Sequence, residues 1–240
     1  MTERLRQIVA IGGASFRAEP ENLTADRYIL GLTRKKHPSI CFIPTASAEP
    51  ADSIATFCSA YTRLGAAPSV LRLFTRTPDL RATLLSQDAI YVGGGNTKSM
   101  LAVWREWGLD TVLREAWRKG IVLAGVSAGA ICWFDHGVTD SWADRLMPLD
   151  CMGFLTGTCC PHYDSEAERR PAVHDFVSRG VVPPVLALTD GAAAHFVGRR
   201  LHRIVTWMPT AGAFTIRRHR GAVVESELPV AARLRVLQPR

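Results

Sequence analysis

Residues Ile121 to Trp133, IVLAGVSAGAICW, decide how the rest of the chain is read. Ile121, Val122, Leu123 and Ala124 form a short unbroken apolar run, the pattern of a parallel strand buried on both faces. The run breaks at Gly125-Val126-Ser127-Ala128-Gly129 and resumes in small residues suited to a helix start. This is G-x-S-x-G in strand-turn-helix context, which leaves a serine hydroxyl alone at the tip of a strand. So tight a turn has no room for a Cβ on either flank, hence a glycine on each side. Free N–H groups at the start of the helix then face whatever sits beside the hydroxyl. A plain glycine-rich turn with a serine cap would fit the five residues alone. The strand before them and the helix after them favour a nucleophile.

Towards the N-terminus the alternation repeats. QIVAI (Gln7 to Ile11) is a first strand ending in Gly12-Gly13, a plain βα turn, because G-x-G-x-x-G and the P-loop lysine are both missing. Leu23 to Arg34 has helical spacing, with Asn22 or Thr24 placed to cap it. SICFI (Ser39 to Ile43) is a second strand, Ile54 to Leu64 a helix, and Ser69 to Phe74 a third strand. Pro78 opens a helix through Leu85, where its missing N–H does no harm. Ala89 to Val92 is a fourth strand, and Ser99 to Trp107 and Leu109 to Lys119 form one or two helices interrupted at Gly108. Strands alternating with helices in this way specify an α/β fold: one doubly wound, mostly parallel sheet with helices on both faces and right-handed crossovers. The 240 residues are expected to form a single domain, 1–240, with its own core.

Beyond the elbow, Phe134 to Cys151 loses periodicity and is expected to be a long functional or mobile loop. A helix follows from about Glu166 to Ser178. VLAL (Val185 to Leu188) is a buried strand ending in Thr189-Asp190-Gly191. From Ala192 onward, AHFVG, LHRIVTW, AFTIRR, VVESELPV and RLRVL read as antiparallel hairpins along one edge of the sheet.

Composition narrows the classes of function. No apolar run approaches the ~20 residues of a membrane span, and MTERLRQIVAIGG enters a strand without a signal-peptide core, so a cytoplasmic protein is expected. Cys41, Cys58, Cys132, Cys151, Cys159 and Cys160 lie at no disulfide-framework spacing and read as free buried thiols. Cys159-Cys160-Pro161-His162 cannot close a tetrahedral zinc site without distant ligands, so no metal is expected. The net charge of +7 is dispersed. No basic stripe interleaved with aromatics emerges, so neither nucleic acid nor a membrane is an expected partner. A positive field suits acidic or carboxylate-ended substrates.

A serine hydroxyl needs a base to take its proton and a third group to hold the base. Of seven histidines, His37, His136, His174, His195, His202 and His219 lie mostly in helix faces or late strands. His162 instead follows a proline, in a loop expected at the active edge of the sheet. Asp190, at a parallel strand end, is best placed to orient it, with Asp140 and Asp135 as rivals. The strand ending at Val92 runs into Gly93-Gly94-Gly95-Asn96-Thr97, whose glycines allow close approach of a ligand to unobstructed N–H groups.

GGGNT at Gly93 to Thr97, GVSAGA at Gly125 to Ala130, PHYD at Pro161 to Asp164 and TDG at Thr189 to Gly191, in this order and spacing, resemble the peptidase E (aspartyl dipeptidase) family. That family is related in fold to class I glutamine amidotransferases, and the likeness runs from about Gln7 to Val197. It implies a serine peptidase acting on short peptides, dipeptidase-like, without metal or organic cofactor. Its triad falls on Ser127, His162 and Asp190, and its oxyanion hole on the N–H groups of Gly95 and Ala128. Gly94, Asn96, Tyr163, Arg169 and Arg170 are candidate substrate contacts. The aspartyl dipeptidases have a glutamate where this chain has Asp190, and an asparagine where it has Ile131. Glu166 or Ala167 falls where they carry the arginine that pairs with the substrate's aspartate, so a strict Asp-X preference does not transfer. The partners expected are a short peptide and, left open, a second copy in a homodimer. A non-catalytic ligand-binding or sensor protein, and an amidohydrolase or esterase on a non-peptide substrate, are the competing functions.

Overall fold

The computed structural model describes residues 5–234. The N-terminal part comprises β1 (Gln7–Ile11), α1 (Thr24–Leu32), β2 (Ser39–Ile43), α2 (Ala51–Arg63), β3 (Ala67–Val70), α3 (Leu80–Leu85) and β4 (Ala89–Val92). The middle comprises α4 (Thr97–Trp107), α5 (Leu109–Arg118), β5 (Val122–Val126), α6 (Ala128–Ile131), β6 (Phe134–Thr139), β7 (Met147–Asp150) and β8 (Leu155–Cys160). The remainder is α7 (Arg169–Ser178), β9 (Val185–Leu188), β10 (Ala192–Val197), β11 (Arg200–Thr206), β12 (Ala213–His219), β13 (Ala222–Glu227) and β14 (Val230–Arg233). Residues 235–237 of the expected RLRVL segment lie outside the described residues.

The α/β class, rich in parallel strands and with helices on both faces, is the one expected. The strands divide between two sheets, however, where one was expected. An eight-stranded sheet has the order β14-β11-β10-β1-β5-β4-β2-β3, and a six-stranded sheet the order β13-β12-β9-β8-β6-β7. In the first, β1, β5, β4, β2 and β3 run parallel. Alternate side chains feed opposite faces. Val9, Ile40, Tyr91 and Ala124 meet Ile29 of α1 and Phe57 and Tyr61 of α2 on one side. Ile8, Cys41, Ile90 and Leu123 face Trp104 of α4 and Leu113 of α5 on the other. The second sheet joins that same layer through Phe134, Leu155, Leu186 and Leu188. Its outer face is covered by Val173, Phe176 and Val177 of α7. Each such fully buried aliphatic or aromatic side chain contributes about 1.5–3 kcal/mol.

The stretch from Phe134 to Cys151 is the main departure: it carries β6 and β7, not a long irregular loop. β6 pairs parallel with β8 and antiparallel with β7, and its register shifts between Phe134 and His136. A bulge breaks the two-residue alternation by which a strand is recognised. The third strand ends at Val70, because beyond Leu71 the N–H groups of Leu73 and Phe74 are taken by the buried Glu49 carboxylate and not by a ladder. At α1, Leu23 occupies the N-cap position without a side-chain cap, and Asn22 Oδ1, one residue earlier, accepts the Thr24 N–H at 3.4 Å. Most of the late segments form antiparallel hairpins, but on two sheets: β10 and β11 extend the first beside β1, whereas β12 and β13 extend the second beside β9, and β14 departs from the expectation by pairing parallel with β11 at the edge of the first. All six cysteines are free. Among the described residues no helix is long and apolar enough to cross a membrane.

Candidate active site

Ser127 stands at the end of β5 with φ 56° and ψ −114°, a strained conformation for a residue with a side chain. The turn is held by packing. A Cβ on Gly129 would lie 2.3 Å from the Val92 carbonyl oxygen, and one on Gly125 2.3 Å from that of Gly129. The helix after the serine is a single turn, shorter than its apolar run suggests, and Ala130 and Ile131 both donate to the Ser127 carbonyl at 2.9 Å.

Three loops that are far apart in sequence meet on consecutive carbonyls at the end of β1. The Ser127 N–H donates to Ile11 O at 3.1 Å, the His162 N–H to Gly12 O at 3.3 Å, and the Gly191 N–H to Gly13 O at 3.3 Å. His162 also has a left-handed φ of 53°. Its Nδ1 lies 2.8 Å from Asp190 Oδ1, with both side chains partly shielded from solvent. The hydrogen bond from His162 holds the Asp190 carboxyl below its ordinary range, against the opposing effect of burial. Asp164 Oδ1 accepts the Asp190 N–H at 2.9 Å and fixes the strand end that carries the carboxylate. With Nδ1 committed to the acid, Nε2 is the ring nitrogen left to exchange a proton. Among the described residues the Ser127 hydroxyl has no hydrogen bond to His162; the shared anchorage on β1 relates the two.

The glycine-rich loop after β4 packs against the serine. A Cβ on Gly94 would sit 3.2 Å from Ser127 Cβ and 3.7 Å from Oγ. Among the described residues, the N–H groups of Gly95 and Ala128 have no protein acceptor. Asn96 is used by the protein itself: Oδ1 accepts the Ser99 N–H at 2.8 Å to cap α4, and Nδ2 donates to Ser141 O at 2.7 Å. Thr97 N–H donates to Ser141 Oγ at 2.9 Å, so this loop is tied to the β6–β7 connection.

Of the rival acids, Asp135 accepts the Gly157 N–H at 3.0 Å inside the second sheet, and Asp140 is exposed on the β6–β7 connection. Neither is paired with His162. The other candidate contacts are tied to carboxylates of the protein or to its backbone. Tyr163 donates its hydroxyl to Glu225 at 2.8 Å, and Arg170 pairs with Glu225 at 2.9 Å. The buried Arg169 donates to Glu166 at 2.6 Å and to Val138 O at 3.0 Å. Three site residues are given no role by the sequence motifs. Gly13 is one, since a Cβ there would fall 1.8 Å from Asp190 Oδ1; its signal is the paired glycine closing β1. Asp164 and Glu225 are the others, and Glu225, on a distant hairpin, has no local signature. Cys132, five residues past the serine, is buried, and burial pushes its thiol well above the ordinary range.

The model of peptidase family S51 matches residues 8–204. The uncharacterized peptidase YgaJ of Bacillus subtilis (strain 168) is 46% identical over 227 residues, covering 94% of this chain and 98% of that protein. The uncharacterized peptidase Lin0382 of Listeria innocua is 30% identical over 136 residues, 53% of this chain and 65% of that one. In fold, the chain resembles the crystal structure of a peptidase from an acI-B1 actinobacterium, with TM-score 0.71 at 17% identity over 95% of this chain and 96% of that one. It also resembles a putative peptidase E protein from Listeria monocytogenes EGD-e, with TM-score 0.60 at 17% identity over 94% and 100% of the two chains. The chain belongs to peptidase family S51.

Proposed function

We propose, with membership of family S51 as the premise, that this serine peptidase hydrolyses short peptides through an acyl-enzyme on Ser127. The observation that carries the assignment is the 2.8 Å His162–Asp190 pair, suspended from the same strand end as the strained serine. His162 Nε2 takes the proton from Ser127 as Oγ forms a bond to the scissile carbonyl carbon. Asp190 keeps the imidazole in the tautomer that accepts at Nε2 and stabilises it once charged. The oxyanion is received by the N–H groups of Gly95 and Ala128, where losing one such donor costs about 100- to 1000-fold in turnover. As the C–N bond breaks, His162 returns the proton to the leaving amine. Water then attacks the ester with the same base and frees the acid. The six free thiols support a cytoplasmic setting for the reaction. Ser127→Ala is expected to abolish peptide hydrolysis, and labelling by a fluorophosphonate, while leaving the thermal unfolding curve in place. Undiminished cleavage by that variant rejects the assignment.

A further inference from the structure

A cavity of about 560 Å³ lies between the β6–β7 connection and α7, a volume typical of ligand sites. Leu146, Phe176 and Val181 line it with apolar surface, and Asp140, Asp144 and Glu168 add carboxylates. Glu166 and Asp175 also reach it but are paired with Arg169 at 2.6 Å and with Arg179 at 2.9 Å. Among the described residues Asp140, Asp144 and Glu168 have no salt bridge, and Arg145 is the lining cation likewise without one. Three unmatched carboxylates against one guanidinium make a locally acidic surface on a chain whose net charge is +7.

Both walls hang from the loops of the candidate site. Asp140 precedes Ser141, which holds Asn96 and Thr97 of the glycine-rich loop. On the other side, the Glu166 N–H donates to the His162 carbonyl at 3.1 Å. We infer that this groove is a specificity subsite that takes the cationic side chain, Lys or Arg, of a substrate residue near the scissile bond, a proposal that rests on the peptidase reading above. Such side chains have an apolar stem and a charged end. The stem matches the surface formed by Leu146, Phe176 and Val181, and the charge meets Asp144 and Glu168. An acidic side chain of similar length is repelled, and an uncharged one gains the apolar contact alone.

The test compares peptides identical except for lysine or norleucine at one position, scanned on both sides of the bond. Two exposed contacts of about threefold to fivefold each combine to roughly tenfold. At low salt, kcat/KM is therefore expected to favour lysine about tenfold at one position. The preference falls towards one in Asp144→Asn/Glu168→Gln, whose exposed side chains make the fold indifferent to the change, and in about 0.5 M salt. Calorimetry with Ser127→Ala should show the same discrimination in binding. A lysine-to-norleucine ratio near one, or one that survives the double substitution, overturns the subsite. If norleucine peptides are cleaved in a Ser127-dependent way without lysine preference, the subsite fails and the peptidase reading stands. If no peptide is cleaved yet the lysine peptide binds more tightly and the double substitution removes the difference, the cation site stands and the peptidase reading fails.

Discussion

Substituting Gly13 by alanine tests the catalytic assembly without touching any residue that reacts. The added methyl would lie 1.8 Å from Asp190 Oδ1 and 2.8 Å from His162 Cε1. Carbon and oxygen do not approach closer than about 3.3 Å even in favourable C–H···O contacts, so the carboxylate must withdraw by roughly 1.5 Å. Its bond to Nδ1, now 2.8 Å, then opens to as much as about 4.3 Å, beyond hydrogen bonding. The obstacle is the free end of a side chain on a partly exposed strand end, so overpacking should cost no more than about 1–3 kcal/mol of stability. Catalysis should suffer far more. A misplacement of about 1 Å costs on the order of 100-fold, and loss of the orienting acid up to about 10⁴-fold. The assay is kcat/KM on a cleaved dipeptide, with thermal unfolding followed in parallel. Asp190→Asn should lose activity comparably, and Gly13→Ala/Asp190→Asn should be little worse than either alone, since both remove one interaction. A folded Gly13→Ala enzyme within threefold of wild type would refute the role given to the His162–Asp190 pair.

Two further outcomes are expected. Burial pushes the Asp26 carboxyl from 3.8 to about 6, against the hydrogen bond from Tyr61. A folded-state pKa above the unfolded one stabilises fully below about pH 4, and that contribution, roughly 3 kcal/mol, is lost as pH rises through about 6. Urea unfolding should therefore show the stability of wild type relative to Asp26→Asn falling by that amount between pH 4 and pH 7, and a constant difference would contradict it. Cys58, half-buried on α2, should be the first thiol modified by a disulfide reagent in the native protein, ahead of the equally half-buried Cys151, whose thiol burial pushes up to about 12. Cys41, Cys132, Cys159 and Cys160 are buried and should react only on unfolding, so rapid native labelling of Cys132 would disprove the packing around the elbow.

What was legible in the sequence follows from where the physics is local. QIVAI, SICFI, AIYV and VLAL become strands at the expected residues because continuous β-prone apolar runs between turn residues admit little else. Ser127, His162 and Asp190 could be nominated because each stands at a strand end within two residues of a glycine or proline. The second sheet was hidden. Its strands β6 and β7 carry Asp135, His136 and Asp150, and a register shift removes the alternation that would have marked them. Cross-sheet pairing of this kind overrides local preference. Tyr163, next to the histidine, and Arg170, in the helix after it, are candidate substrate contacts by sequence, but Glu225, 62 residues beyond Tyr163, takes both, and no local pattern foretells that.

The tail of β1 has a consequence for how the enzyme comes into being. Ile11, Gly12 and Gly13 close the first strand of the sheet, yet the groups they hold follow only at residues 127, 162 and 191. A nascent chain that has already formed the turn at Ser127 still lacks the imidazole and the carboxylate proposed to activate its hydroxyl. On the proposed mechanism, hydrolytic competence is withheld until the segment through residue 191 has docked on β1. No proteolytic fragment ending before β10 should retain it.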